Sequence, residues 1–119
     1  MISIKVLLTK ILQRITPKLI SATRVTAPST QLEPATVSVN LDGYDTILVR
    51  AGVNNITQFL TFTRLSGSTI QSLSEYYGGE YFRGFVFVDW ENNEVSVEYA
   101  NCPSGKNSYI WIQQIYAIG

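Results

Sequence analysis

Two hydrophobic periods divide this chain. Over the first fifteen residues the apolar positions recur at intervals of three and four, and Ile4, Leu7, Leu8, Ile11, Leu12 and Ile15 fall within one arc of about 140° on a helical wheel. Lys5, Lys10, Gln13 and Arg14 lie outside that arc or at its edge. The pattern predicts an amphipathic α-helix over about residues 3–15. Pro17 closes it, because a proline pushes the residue before it out of the α region. A helix this short is marginal alone in water, so its apolar face needs a surface: its own β domain, copies of itself, or a lipid or foreign protein face. Ile4, Leu8, Ile11 and Ile15, spaced 4, 3 and 4, form a two-heptad seam whose residue types favour three or four strands over two. These four are the candidate oligomerisation or attachment residues.

Residues 21–34 are rich in Thr, Ser, Ala and Pro without usable period and read as an extended linker arm. Three parts follow: an N-terminal amphipathic helix over 1–20, the arm over 21–34, and a β-sandwich head over 35–119.

Within the head the period changes to two. Val37, Val39 and Leu41 alternate with Thr36, Ser38 and Asn40; Asp42-Gly43 then suits a tight turn, so a hairpin continuing through Asp45 to Ala51 is expected. After a turn over 52–55, Ile56 to Leu65 reads as a longer strand, ended by Ser66-Gly67-Ser68. The stretch from Thr69 to Tyr77 has a weaker apolar face, as an edge strand or loop would. From Tyr81 to Ala100 the pattern predicts a hairpin with Asn92-Asn93 as its two-residue tip, Val86, Val88 and Trp90 facing Tyr99, Val97 and Val95. Its opposite face carries Phe85, Phe87, Asp89, Glu91, Glu94, Ser96, Glu98 and Ala100. The last strand, Tyr109 to Ile118, is apolar on both faces apart from Gln113-Gln114, which implies cover on both sides. Seven or eight short strands with closely spaced turns predict an all-β fold, an antiparallel sandwich or jelly roll.

Composition sharpens this picture. Of the 119 residues 45% are hydrophobic and only 15% charged, below the ~25% charged fraction usual in soluble domains, so much of the surface is neutral and suited to burial against partners. The formal net charge of zero hides a division. Residues 1–24 hold Lys5, Lys10, Arg14, Lys18 and Arg24 with no acid, +5; the rest holds four bases against nine acids, −5. No apolar run is long enough for a signal peptide or a transmembrane segment.

Chemistry is constrained by what is missing. There is no histidine, which removes the commonest general base and zinc ligand, and Cys102 stands alone, so no intrachain disulfide forms. Asp89, Glu91, Glu94 and Glu98 supply carboxylates of the kind a glycosidase pairs, with Glu91 and Glu94 as neighbours at a hairpin tip; the same acids serve equally to keep a sheet edge charged. Asp42 and Asp45 are hard oxygen donors in a turn without EF-hand spacing, and no glycine pattern cradles phosphate. No cofactor or metal is expected. Nucleic acid is not expected either, since the basic arm lacks a basic, aromatic-interleaved surface behind it. Tyr76, Tyr77 and Tyr81, around Gly78-Gly79, are the candidate ligand contacts, because tyrosines stack on sugars or anchor interfaces at low entropic cost.

The layout resembles small virion proteins of tailed phages and prophages: a short N-terminal helix, a Thr/Ser/Pro arm, a compact β domain and a final strand running to Ile115-Tyr116-Ala117-Ile118-Gly119. In such proteins a basic or coiled N-terminus attaches to the particle and a β-sandwich head, often trimeric, is displayed. The resemblance implies a non-enzymatic, homotrimeric appendage, fibre or decoration protein located in the virion, with its own copies and other virion proteins as partners and a cell-surface receptor or glycan as possible target. A glycan-binding module and a membrane-associated protein using its basic amphipathic helix are the alternatives from other classes.

Overall fold

The period-two segments become strands. A computed structural model describes residues 4, 5, 8, 16–28, 33–54, 56–65, 69–101 and 110–119, the side chain of Tyr77 excepted. Among the described residues there are nine strands: β1 (Lys18–Ser21), β2 (Val25–Thr26), β3 (Ala35–Ser38), β4 (Thr46–Val53), β5 (Ile56–Thr63), β6 (Ile70–Tyr77), β7 (Glu80–Asp89), β8 (Glu94–Asn101) and β9 (Ile110–Ile118). They build two antiparallel sheets. The first runs β1-β9-β4-β5, with β2 also on the edge of β9; the second runs β3-β8-β7-β6. Between the sheets lie the inward residues of β3 to β9 and Leu41 of the β3–β4 corner, among them Val37, Ile47, Val49, Phe62, Leu73, Phe82, Val86, Val95, Val97, Ile112 and Ile115, all buried. The all-β, two-sheet expectation is met.

Several finer expectations are corrected. Val37, Val39 and Leu41 do point inward, but β3 and β4 are not a hairpin: β3 pairs with β8 in one sheet, and β4 lies in the other with β5 and β9 on its two edges. With both edges of β4 filled, the turn at Asp42-Gly43 becomes a corner between sheets. Asn93 straps this corner to the β7–β8 turn, its carbonyl accepting from Val39 N (3.0 Å) and its Oδ1 from Leu41 N (2.8 Å).

The β7–β8 hairpin closes on Asp89 opposite Glu94, so its turn has four residues, Trp90 to Asn93. Val86 therefore faces Val97, Val88 faces Val95, and Trp90 leaves the ladder. The cause is local. Both carboxylate oxygens of Asp89 accept from Asn92, one from the backbone N–H (3.1 Å) and one from the side-chain amide (2.8 Å), and Asn93 takes a left-handed φ of 56°.

The last strand also differs from expectation. Ile110, Ile112, Ile115 and Ala117 all face inward, because Arg50 pairs with Gln114 and Ala51 with Ile112, leaving Gln113 as the extra residue of a β-bulge. The apparent double apolar face is one face whose phase shifts at the two glutamines. Its outer side carries Trp111, Gln113, Gln114, Tyr116 and Ile118, all half-buried.

The first two strands occupy part of the segments read as helix unit and arm. Lys18–Ser21 and Val25–Thr26 pair with β9, and Ala27 is buried with its N–H on the Ile110 carbonyl (2.8 Å), so among the described residues sheet structure is already present from Lys18, ahead of Ala35. The predicted helix lies outside the described residues apart from Ile4, Lys5 and Leu8.

Candidate functional site

The outer face of the second sheet carries Tyr76, Tyr81, Phe85, Phe87, Asp89, Glu94 and Glu98. On β7 the residues alternate: Phe82, Gly84, Val86 and Val88 are buried, while Tyr81, Arg83, Phe85, Phe87 and Asp89 look outward. The register then sets each outward residue beside a neighbour. On the β6 side Tyr81 meets Tyr76, Arg83 meets Ser74, Phe85 meets Ser72 and Phe87 meets Ile70. On the β8 side Phe85 meets Glu98, Phe87 meets Ser96 and Asp89 meets Glu94.

At one end of this face stands the tyrosine pair. Gly78 and Gly79, with φ of 60° and 80°, make the two-residue turn that joins β6 to β7 and brings Tyr76 and Tyr81 opposite each other. Their side chains are 72% and 43% exposed, far more than packing alone requires of aromatics. Tyr77 is paired with Glu80 through its backbone. Midway, the rings of Phe85 and Phe87 meet at 6.2 Å with a 56° tilt, and the Arg83 guanidinium lies 5.1 Å from the centre of the Phe85 ring.

At the other end the face opens into a groove of about 760 Å³. Phe87 and Trp90 give it aromatic walls, Asp89, Glu91 and Glu94 an acidic rim, and Ser96 and Thr69 neutral hydroxyls. Arg64 is built into its side. One guanidinium nitrogen donates to the Leu41 carbonyl (2.7 Å), Nε donates to the Tyr44 carbonyl (3.1 Å), and the cation sits 4.5 Å from the centre of the Trp90 ring. With two of its donors committed to the corner and its plane against Trp90, Arg64 acts as a fixed positive wall. Three carboxylates against this one guanidinium leave the groove negative, which disfavours phosphates and other anions.

The carboxylates do not form the pair expected from sequence. Glu91 lies in the turn and it is Asp89 that stands across from Glu94. The Asp89 carboxyl is exposed and held below its ordinary range, first by the Asn92 side-chain amide and then by the Asn92 backbone N–H. A general acid needs the opposite shift. Among the described residues no group of three or more acidic, Cys or His side chains is placed to hold a metal ion.

Trp90 and Arg64 were not singled out by the sequence reading. A two-residue tip would set Trp90 opposite Val95 in the core, two residues from the register that forms, and Arg64 is a single cation near a strand end with no local signal of its partners on the Leu41–Tyr44 corner. Of the seam residues, Ile4 and Leu8 are 76% and 54% exposed, and Ile11 and Ile15 lie outside the described residues. Among the described residues no helix is long and apolar enough to cross a membrane. No protein-family model, no curated protein and no solved structure matches this chain.

Proposed function

We propose that this chain is a non-enzymatic structural and adhesive protein of the tailed-phage appendage or decoration kind, homo-oligomeric, whose sandwich head binds a neutral saccharide across the outer face of β6, β7 and β8. The supporting observation is the row of outward aromatics, Tyr76, Tyr81, Phe85 and Phe87, that ends in an acid-rimmed groove walled by Trp90. Sugar rings offer apolar C–H faces that stack on aromatics, and hydroxyls that donate to carboxylates, while carrying no charge for the groove to repel. The crossing of the chain between sheets, with β1, β9 and β4 in one and β3 and β8 in the other, supports a jelly-roll-like head in which β4–β5 and β6–β7–β8 run as plain hairpins.

A glycan array probed with the full chain tests this reading. Binding to one or more neutral glycans is expected, falling about tenfold or more for Phe87→Ala and for Tyr81→Ala with the unfolding midpoint little changed, since each truncates an outward ring. Absence of binding by the unaltered chain, or equal binding by both variants, would remove the saccharide from the proposal.

A further inference from the structure

The four edges of the two sheets are not equally guarded. β1 is four residues long, starts on Lys18 and carries a bulge between Leu19 and Ser21; β3 is four residues long and follows Pro34; β6 carries Glu75. These are the devices by which proteins keep sheet edges from pairing. β5 has none of them. Its eight residues, Ile-Thr-Gln-Phe-Leu-Thr-Phe-Thr, hold no charge and no proline and pair with β4 without a break in register.

Half of this strand is also exposed on both faces, although the Phe59 ring leans on Tyr116 at 6.0 Å. Ile56 to Phe59 are all exposed, Ile56 at 44% and Phe59 at 55%, whereas Leu60 and Phe62 beyond them are buried. Arg64 N–H on the Asp45 carbonyl (2.8 Å) makes these two a hydrogen-bonded pair, and the unbroken register from Thr46–Thr63 to Val53–Ile56 carries that phase along the strand, so that Ile56, Gln58, Leu60 and Phe62 turn their backbone groups toward β4. Thr57, Phe59 and Thr61 therefore turn their N–H and C=O groups away from β4. The Thr61 carbonyl is taken by the Gln71 side-chain amide. Among the described residues no strand pairs with the outward groups of Thr57 and Phe59.

We infer that this edge pairs with β5 of a second copy of the chain, antiparallel about a two-fold axis at Gln58, so that Thr57 of each copy lies opposite Phe59 of the other. Three features select a second copy as the occupant. An uncharged strand meets itself without like-charge repulsion, the two-fold register uses only groups that Gln71 leaves open, and the apolar Ile56 and Phe59 are carried to the join by both chains. The inference deepens the oligomeric part of the proposed function by naming its surface, and it is independent of the saccharide face on the other sheet.

Hydrogen exchange and light scattering on the full chain provide the test. The Thr57 and Phe59 amides are expected to be protected, although they point off their own sheet. Thr57→Pro removes an outward N–H and leaves the β4–β5 ladder intact, and it is expected to halve the mass of the particle; Phe59→Lys, which places like charges near the axis, is expected to do the same should the proline variant fail to fold. An unaltered chain that is monomeric at ~100 µM, with Thr57 and Phe59 exchanging freely, would overturn both this pairing and the oligomeric reading. An oligomer whose mass survives both substitutions would overturn the pairing alone and leave that reading standing. Protection of these amides only when a different protein is added would equally overturn it, by giving the edge another occupant.

Discussion

Asn93 and Arg64 do as much to place the groove as its own aromatics. Asn93 holds the β3–β4 corner against the β7–β8 turn through two backbone contacts, and Arg64 adds two more from the far side while covering Trp90. The turn itself depends on Asp89 being ionised, because a neutral carboxyl is a poorer acceptor for the two Asn92 donors. Its folded-state value is depressed, so the contribution to stability is present above the ordinary aspartate range and is lost as pH falls through the lowered value. Asn92→Ala removes the side-chain donor and keeps the backbone N–H, so it should move Asp89 part of the way back toward the ordinary range, read as a rise in the midpoint of its side-chain carboxyl NMR titration. An unchanged midpoint would show that the side-chain amide of Asn92 does not hold the Asp89 carboxylate in solution. The two asparagines were visible in the sequence as a turn, but its length was not. That length is decided by a side chain reaching three residues ahead, a choice that alternation of apolar residues does not encode.

Between elements, register is kept by shape as well as by hydrogen bonds. The Trp111 indole lies flat across Gly52 of β4, so near that a Cβ built there would stand 2.3 Å from the ring, and the Arg24 guanidinium covers the ring 4.7 Å from its centre. A slip of β9 by one residue would bring this ring onto a residue with a side chain. Gly52→Ala is therefore expected to cost about 1–3 kcal/mol, with a shift in tryptophan fluorescence as the indole is pushed out. A variant with unchanged urea unfolding and unchanged emission would contradict the close fit. Here the sequence was legible in one respect and misleading in another. Inward and outward sets were readable for β3, β7 and β8, where alternation is unbroken, and the edge character of β6 was readable from its thin apolar face. On β9 the bulge at Gln113 joins two alternations of opposite phase, which a reading by period alone takes for two apolar faces. For β3 and β4, an Asp-Gly turn looks the same whether the chain folds back in one sheet or crosses to the other; which one forms depends on the distant strands β8 and β9.

Across the whole molecule, the division into a basic leader of +5 and a remainder of −5 does not coincide with the division into structural parts. Lys18 and Arg24 count with the leader, yet both stand within the sandwich: Lys18 pairs opposite Ala117, and Arg24 packs over Trp111. A cut meant to separate attachment from folding must therefore fall ahead of Lys18. A chain beginning at Thr16 keeps β1, β2 and the buried Ala27, and should unfold cooperatively with a midpoint within a few degrees of the full chain. A chain beginning at Pro28 loses both strands from the edge of β9, the Ala27–Ile110 hydrogen bond and the cover that Ile20 and Val25 give the core. Several ladder bonds at about 1 kcal/mol each, together with the uncovered apolar surface, put that loss on the order of 3–5 kcal/mol, a large part of the stability of a domain this size. Urea unfolding of the two truncations side by side distinguishes a sheet that begins at Lys18 from one that begins at Ala35, for in the second case the two chains would be equally stable. If the shorter cut abolishes particle attachment while leaving both the midpoint and the β5 pairing in place, the leader acts apart from the head, with Ile4 and Leu8 as the exposed surface through which it does so.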